Sequence, residues 1–300
     1  MEIRPILSAL MRSKTGAILV AVQVALSLAI LANALHIVNV RQEVAARPSG
    51  VAAESEVFHL LARNLRPLGH NEELALQKRL AAAARAVPGV VSVAQVSQVP
   101  LSRNGSNSGF AASRKQENSS AIAAVYITPD SLIKTWGLQL REGRDFTPAE
   151  ITEIDQNVTQ ESPPQVIITR AMAEKIHPGG GSALGMPLFL GTGENAQQLQ
   201  VVGVIDRLQT QGAEVGEQGE YSVIFPVRLT GDGDTLLTIR TEAGQRERVM
   251  KEAEQAIRAA TPDKLIVRIR SLDDDRDTRY RADRALSWML ITVSALLLLV

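Results

Sequence analysis

Few side chains in this sequence have the type and spacing that chemistry requires. The four histidines, His36, His59, His70 and His177, are far apart, and the chain has no cysteine. This composition excludes disulfides, thiol nucleophiles and cysteine-ligated zinc, and it offers no metal-ligand spacing. The sequence therefore predicts no catalytic, cofactor-binding or metal-binding residue, no cofactor and no enzyme activity.

One segment approaches a nucleotide-binding loop without completing it. Residues Gly180–Pro187 read GGSALGMP, with Met186 and Pro187 where a P-loop needs Lys and Ser or Thr to reach phosphate and magnesium. The segment also follows a predicted helix rather than a strand. No serine-hydrolase elbow or zinc-protease motif occurs elsewhere. We therefore expect this chain not to bind ATP through a P-loop.

The acidic run Asp273–Asp275 is the remaining candidate for chemistry. It could hold a cation, but Arg276 and Arg279 follow at once. Opposite charges in such proximity are typical of a solvated helix face on which the side chains pair with each other. We therefore interpret the run as a self-paired helix surface.

Composition narrows the choice of partners. The 300 residues carry no formal net charge, 45% are hydrophobic and only 3% are aromatic. A nucleic-acid interface needs basic patches and stacking aromatics, so we expect no nucleic-acid partner. Two apolar runs without a charge stand near the two ends of the chain.

The first run, Gly16–Leu35, contains no charge, and the charge-free stretch continues to Val40. About 20 apolar residues cross a bilayer, so we predict a membrane helix over residues 16–40. A cleaved signal peptide with an A-x-A-like site at Ala32–Ala34 is the alternative. A second run, residues 285–300, predicts the start of a second membrane helix, with a C-terminal tail anchor as its alternative.

The residues before the first span indicate its orientation. Residues 1–15 form a predicted amphipathic helix lying on the cytoplasmic membrane surface. Arg4, Arg12 and Lys14 precede the span, and positive charge favours the cytoplasmic side. The N-terminus is therefore predicted to be cytoplasmic, with residues 41–284 outside the cytoplasm.

Two strand–helix–strand patterns frame the part between the spans. Each has an Ala-rich or amphipathic helix ended by a proline, between segments rich in Val, Leu and Ile. We expect both to form one domain of two similar halves. The segments are Glu56–Asn64, Glu72–Ala86 and Val90–Val99 in the first unit, and Thr235–Thr241, Gln245–Ala260 and Leu265–Arg270 in the second.

Between these units, short strands and turns predict an inserted, mostly β subdomain over residues 133–219. We expect loops at Leu101–Ser120, which is rich in Ser, Asn and Gly, and at Glu150–Pro164. The expected strands are Leu138–Leu140, Gln165–Thr169, Pro187–Gly191 and Leu199–Val204, and the expected helix is Arg170–Ile176.

Four stretches, in this order, resemble the permease subunits of MacB-type and FtsX-like ABC transporters. They are Tyr126–Phe146 (YITPDSLIKTWGLQLREGRDF), Val166–Leu190 (VIITRAMAEKIHPGGGSALGMPLFL), Gln200–Asp206 (QVVGVID) and Tyr221–Pro226 (YSVIFP). Met186 stands where the family usually has Lys. The order of parts, with a span, a large extracytoplasmic domain and a further span, is similar over nearly the whole chain.

The resemblance implies an α+β fold with an N-terminal transmembrane helix, a two-part periplasmic core domain over 41–284 and the start of a second transmembrane helix. The halves at 50–132 and 220–272 would form a porter-like subdomain that carries the insert 133–219.

The resemblance also implies a non-catalytic permease in the bacterial inner membrane. It would couple ATP hydrolysis by a separate ATPase to movement of its periplasmic domain, for export or envelope transport. The implied partners are that ATPase, a second permease copy or related permease, membrane lipid and a periplasmic adaptor protein. A membrane-anchored extracytoplasmic adaptor or sensor domain is the alternative function.

Overall fold

The computed structural model describes residues 14–159, 161–231, 233–261 and 265–299. Most of the predicted amphipathic segment 1–15 lies outside these residues. The chain divides into two compact units, one comprising Pro48–Arg279 and the other comprising the chain ends up to Arg47 and from Tyr280 onward.

The unit of the chain ends contains a long N-terminal helix, α1 (Lys14–Ala46), and the later turns of the C-terminal helix α6 (Leu272–Leu299). By length and composition, Thr15–Ala46 can cross a membrane. Large apolar side chains such as Ile18 and Leu28 lie on its surface, as expected for a helix surrounded by lipid. An ion pair between Arg41 and Asp283 joins the two helices.

The second unit, Pro48–Arg279, holds twelve strands among its described residues. Its helices before α6 are α2 (His70–Arg85), α3 (Leu132–Trp136), α4 (Arg170–Ile176) and α5 (Arg246–Ala260). The strands are β1 (Val57–Asn64), β2 (Val90–Gln95), β3 (Asn107–Ala111), β4 (Ala121–Thr128), β5 (Leu140–Gly143), β6 (Thr152–Asp155), β7 (Gln165–Thr169), β8 (Pro187–Leu190), β9 (Gln197–Ile205), β10 (Ser222–Thr230), β11 (Asp234–Thr241) and β12 (Leu265–Ser271).

The two strand–helix–strand units build one antiparallel sheet with the order β12-β1-β11-β2. Side chains alternate between its faces, as the period of two requires. Phe58, Leu60 and Ala62 pack under helices α2 and α5, and this core also takes Val249 and Ile257 from α5. Neither unit alone could bury this face, because two strands and one helix offer too little apolar surface.

The remaining strands form a ring. Strand β3 pairs with β4, β4 with β10, β10 with β7, β7 with β9, β9 with β8, and β8 with β3 again. Strands β5 and β6 extend this pairing at the later residues of β9 and β10. Alternate residues such as Val125, Ile168 and Val223 fill one core, which Met172 and Ile176 of α4 complete.

A third apolar cluster joins the sheet to the ring. It takes Ala94 and Val57 from the sheet and Tyr126 from the ring. Trp136 lies at its centre, only 1% exposed, with its ring 5.7 Å from that of Tyr126 in an edge-to-face arrangement. The indole Nε1 donates to Thr238 Oγ1 at 2.7 Å, so the one polar atom of this side chain is satisfied by the sheet.

The predicted α+β class is confirmed, but several predicted boundaries differ from the structure. Strands β3, β4 and β10 belong to the ring, so the ring begins before residue 133 and ends after residue 219. Strand β3 lies within the predicted loop Leu101–Ser120, and β6 within the predicted loop Glu150–Pro164. The strand expected at Leu138–Leu140 instead starts at Leu140. In each case pairing with distant strands outweighs weak local propensity.

Candidate functional site

The first two turns of α6 carry several charged contacts to other elements, and we call residues 271–279 the charged junction. The sequence predicted that its acidic and basic residues would pair with each other in solvent. That prediction is wrong, because these side chains bind partners on other elements. Asp275 is 3% exposed, with its Oδ2 atom 2.7 Å from His59 Nε2 and its Oδ1 atom 3.1 Å from Arg270 Nε.

A local hydrogen-bond exchange starts the helix at this point. Asp274 N–H donates to Ser271 Oγ at 3.1 Å, and Ser271 N–H donates to Asp274 Oδ2 at 3.2 Å. The hydrogen bonds from Ser271 lower the pKa of Asp274, keeping its negative charge at the positive end of the helix. The spacing Ser-x-x-Asp is a capping signal, so the start of this helix was readable from the sequence.

Arg276 provides the strongest contact from α6 to the region before β1. Its Nε donates to Glu54 Oε2 at 2.8 Å and its Nη2 to Glu54 Oε1 at 2.6 Å, a fork-like pairing. Ser49 Oγ adds a hydrogen bond to Glu54 Oε1 at 2.5 Å. Burial alone raises the pKa of Glu54, but the hydrogen bonds from Arg276 and Ser49 outweigh it, and the pKa is lowered. Glu54 is therefore a carboxylate at neutral pH.

Arg279 extends the junction to the segment after β9. Its Nε donates to the carbonyl of Gly212 at 2.9 Å and its Nη2 to the carbonyl of Ala213 at 3.2 Å. Ala213 is fully buried and has a positive φ of 46°, a conformation that Thr210 supports by accepting the Ala213 N–H at 3.0 Å. Holding such backbone in place takes several contacts, and Arg279 supplies two of them.

The helix α5 joins the same network. Arg246, at its first position, donates from Nη1 to Asp273 Oδ2 at 2.6 Å. Burial lowers the pKa of Arg246, but the hydrogen bond to Asp273 more than compensates and the pKa is raised. The start of α6 thus contacts β1, β12, α5, the segment before β1 and the segment after β9.

Close packing also fixes the backbone beside the junction. Gly50, next to Ser49, has a φ of +96°, and a Cβ atom there would lie 2.2 Å from the carbonyl oxygen of Arg207. Only glycine permits both this conformation and this approach. The Gln209 N–H donates to the carbonyl of Ser49 at 2.8 Å, so the two segments support each other.

The other sequence motifs bring no group of functional side chains together in the part of the chain that the structure describes. Gly180–Pro187 follows helix α4 and leads into β8, as expected from the sequence. The Nδ1 atom of His70 lies 2.8 Å from Thr230 Oγ1. Among the described residues, no group of histidine and acidic side chains could hold a metal ion.

The sequence profile of the MacB-like periplasmic core domain matches residues 18–260. The chain is similar to the extracellular domain of the noncanonical ABC-type transporter YknZ from Gram-positive bacteria, with 18% identity over 71% of this chain and 99% of that chain, at a TM-score of 0.43. It is also similar to a domain assigned to a permease protein of Porphyromonas gingivalis, with 12% identity over 74% and 93% of the two chains, at a TM-score of 0.44. No curated protein sequence matches the chain.

Proposed function

Because the chain belongs to the MacB-like periplasmic core domain family, we propose that it is a non-catalytic permease subunit of an ABC transporter. The family itself gives the chain a role associated with transport. In our proposal, a partner ATPase hydrolyses ATP in the cytoplasm, and this chain converts the reaction into movement of its extracytoplasmic domain. The movement serves export or envelope transport.

The charged junction is the observation that carries this proposal. Helix α6 runs from Leu272 to Leu299, so the residues that bind the domain and the apolar residues after Ala285 belong to one helix. Removing one partner of a buried ion pair costs roughly 3–5 kcal/mol. Asp275 is buried, and Arg276 forms a fork-like pair with Glu54. Displacing the start of α6 is therefore expected to move the domain with the helix rather than to separate the helix from the domain.

The proposal also fixes the membrane orientation. The N-terminus lies in the cytoplasm and residues 41–284 lie on the periplasmic side of the inner membrane. The basic residues before the first span support this orientation. A second permease copy, membrane lipid and a periplasmic adaptor complete the proposed partners.

The absence of cysteine makes a direct test practical. A Ser113→Cys substitution places one thiol at an exposed position of the β3–β4 turn, and it is the only thiol in this sequence. The full-length permease, purified with the ATPase that accompanies it, is spin-labelled there. Double electron–electron resonance then measures the distance between labels on two permease copies, with ATP and vanadate or with ADP.

We expect the label-to-label distance to differ between the two nucleotide states. An added Arg276→Gln substitution should reduce that difference, because it breaks the pairing with Glu54. Arg258→Gln, on the exposed face of α5, is the matched control and should leave the difference intact. Purification without an ATPase, or distances independent of nucleotide, would contradict the proposed function.

A further inference from the structure

The face of the four-stranded sheet opposite to α2 and α5 is only partly covered, and a cavity of about 290 Å³ opens there. Strands β1, β11 and β12 form one wall. The segment between β2 and β3, together with residues of β4 and β10, forms the opposite wall. The volume lies just below the usual range for small-molecule sites, which is roughly 300–1,000 Å³.

The cavity has an excess of positive charge. Arg63, Arg268 and Arg270 line it together with Asp234 and Asp275. Arg63 pairs with Asp234, and Arg270 pairs with Asp275. No ion pair is found for Arg268 among the described side chains. One guanidinium of the cavity is therefore available to an anionic ligand.

The register of the sheet explains this placement. Arg268 and Arg270 lie two residues apart on β12, so both point to the same face. Arg268 stands directly opposite Leu61, and Arg270 directly opposite His59. Strand β12 is an edge strand, so Arg268 lies at the open border of the sheet. An anion can thus reach Arg268 from solvent without displacing an existing ion pair.

The rest of the lining is half apolar and half polar. A hydrocarbon chain would leave the polar side chains without partners, whereas a peptide offers both apolar side chains and amide groups. His59 adds a buried Nδ1 atom that has no hydrogen-bond partner among the described residues. The apolar residues include Leu61, Val99, Ile127, Val227, Leu229 and Leu236, and the polar ones include Gln95, Gln98, Ser102 and Asn104.

From this combination, we propose that the cavity binds the apolar C-terminal end of a peptide, with the terminal carboxylate on Arg268. Guanidinium groups pair with carboxylates in a planar, bidentate fashion, and a carboxylate is the anion that a peptide carries at its C-terminal end. The two or three apolar side chains before the carboxylate occupy the inner part of the cavity. Binding at this site does not depend on the ATPase.

The test uses the full chain in lipid nanodiscs and isothermal titration calorimetry, with empty nanodiscs as the blank. The probe is N-acetyl-dileucine with a free carboxylate, compared with its C-terminal amide and with octanoate. We expect the carboxylate peptide to bind at least about tenfold more tightly than the amide, since a hydrogen bond to a charged group is lost. Octanoate should bind more weakly than the peptide.

Two substitutions assign the effect to the cavity. Arg268→Gln should weaken the carboxylate peptide about tenfold and abolish its advantage over the amide. Leu61→Glu places a carboxylate directly opposite Arg268 and should block the probe by occupying that guanidinium. Arg258→Gln, on α5 and outside the cavity, is the matched control and should bind like the unsubstituted chain.

Three results would overturn the proposal. They are equal affinity for carboxylate and amide, unchanged binding by the Arg268→Gln chain, and octanoate binding as tightly as the peptide. Circular dichroism confirms that each variant is folded. Arg268 is exposed, so its substitution is expected to leave the fold intact.

Discussion

The four-stranded sheet and the six-stranded ring differ in how their strand pairing ends. In the sheet, each half is a strand–helix–strand unit that is continuous in sequence, but every strand pair joins one half to the other, as Phe58 with Ile239. In the ring, closure depends on pairs such as Ser222 with Ala124 and Phe110 with Leu190. The sheet keeps two edge strands, β12 and β2, whereas the pairing of the ring closes on itself.

This difference separates two roles. A closed ring has no free edge and buries its side chains in an interior core, which favours a rigid body. The open sheet has one face for its helices and a second face that carries His59, Arg268 and Arg270. The cavity therefore opens on this second face of the sheet, and Ile127, Val227 and Leu229 of the ring line its opposite wall.

The largest effect is expected where the two regions meet. Trp136→Ala removes the side chain at the centre of the shared cluster, and loss of a buried Trp costs about 3–5 kcal/mol. Urea unfolding of the full chain in detergent micelles, followed by circular dichroism, measures the change. Trp136→Phe is the control and should lose less, because a ring remains to pack against Tyr126. Equal stability of the Trp136→Ala chain would show that the two regions do not depend on this contact.

The next prediction compares one large-to-small core substitution in the sheet with one in the ring. Leu60→Ala in the sheet and Ile168→Ala in the ring each remove a side chain that is at most 1% exposed. Each should lower the free energy of unfolding by about 2–5 kcal/mol. Because a third cluster joins the regions, both variants should still unfold in one transition. Separate transitions for sheet and ring would contradict the joined core.

A smaller, pH-dependent effect is expected at Glu54. Glu54→Gln replaces the carboxylate that Arg276 binds, and should cost about 1–2 kcal/mol at pH 7. The folded pKa of Glu54 is below its ordinary value of 4.5, so this stabilisation is present above about pH 4.5 and is lost as the pH falls further. The gap between wild type and variant should therefore narrow in acid.

Urea unfolding at pH 7 and at several values below pH 4.5 measures that gap. Glu72→Gln is a suitable control, because Glu72 pairs with Arg66 on the surface, where both side chains are about half exposed. Its effect should be close to zero at every pH. A Glu54→Gln penalty that stays constant into acid would show that charge is not what stabilises this pairing.

The smallest effect is expected for a surface ion pair that bridges the two regions. Lys78 on α2 lies 2.7 Å from Glu153 on β6, with side chains 54% and 39% exposed. Exposed pairs contribute roughly 0–1 kcal/mol, so Lys78→Gln should change stability by less than about 1 kcal/mol. The same urea titration measures it. A loss as large as that of Trp136→Ala would mean that surface charge, rather than the apolar cluster, holds the regions together.

The sequence allowed the sheet to be predicted better than the ring, for a physical reason. The helices ending near Pro88 and Pro262 and the alternating strands beside them are local patterns that a window of residues reveals. Strand β3 reads NSGFA, and only its partners β4 and β8 make it a strand.

The charged junction was only partly predictable. The Ser271-x-x-Asp274 spacing marks the start of α6, and the charges of Asp273–Arg279 are evident. Their partners, Glu54, His59 and Arg246, are far away in sequence, and no local pattern identifies them. The interpretation as a self-paired surface failed because it considered neighbours along the helix alone.

The central claim is that the charged junction fixes the start of α6 to the four-stranded sheet. Hydrogen exchange of residues 275–279 in the full chain tests it most directly. We predict protection comparable with that of α5. In a Glu54→Gln, Asp275→Asn chain we expect this protection to drop by at least about a hundredfold, equivalent to about 3 kcal/mol, while the sheet stays protected. Exchange at residues 275–279 that is unchanged by the two substitutions would contradict the claim.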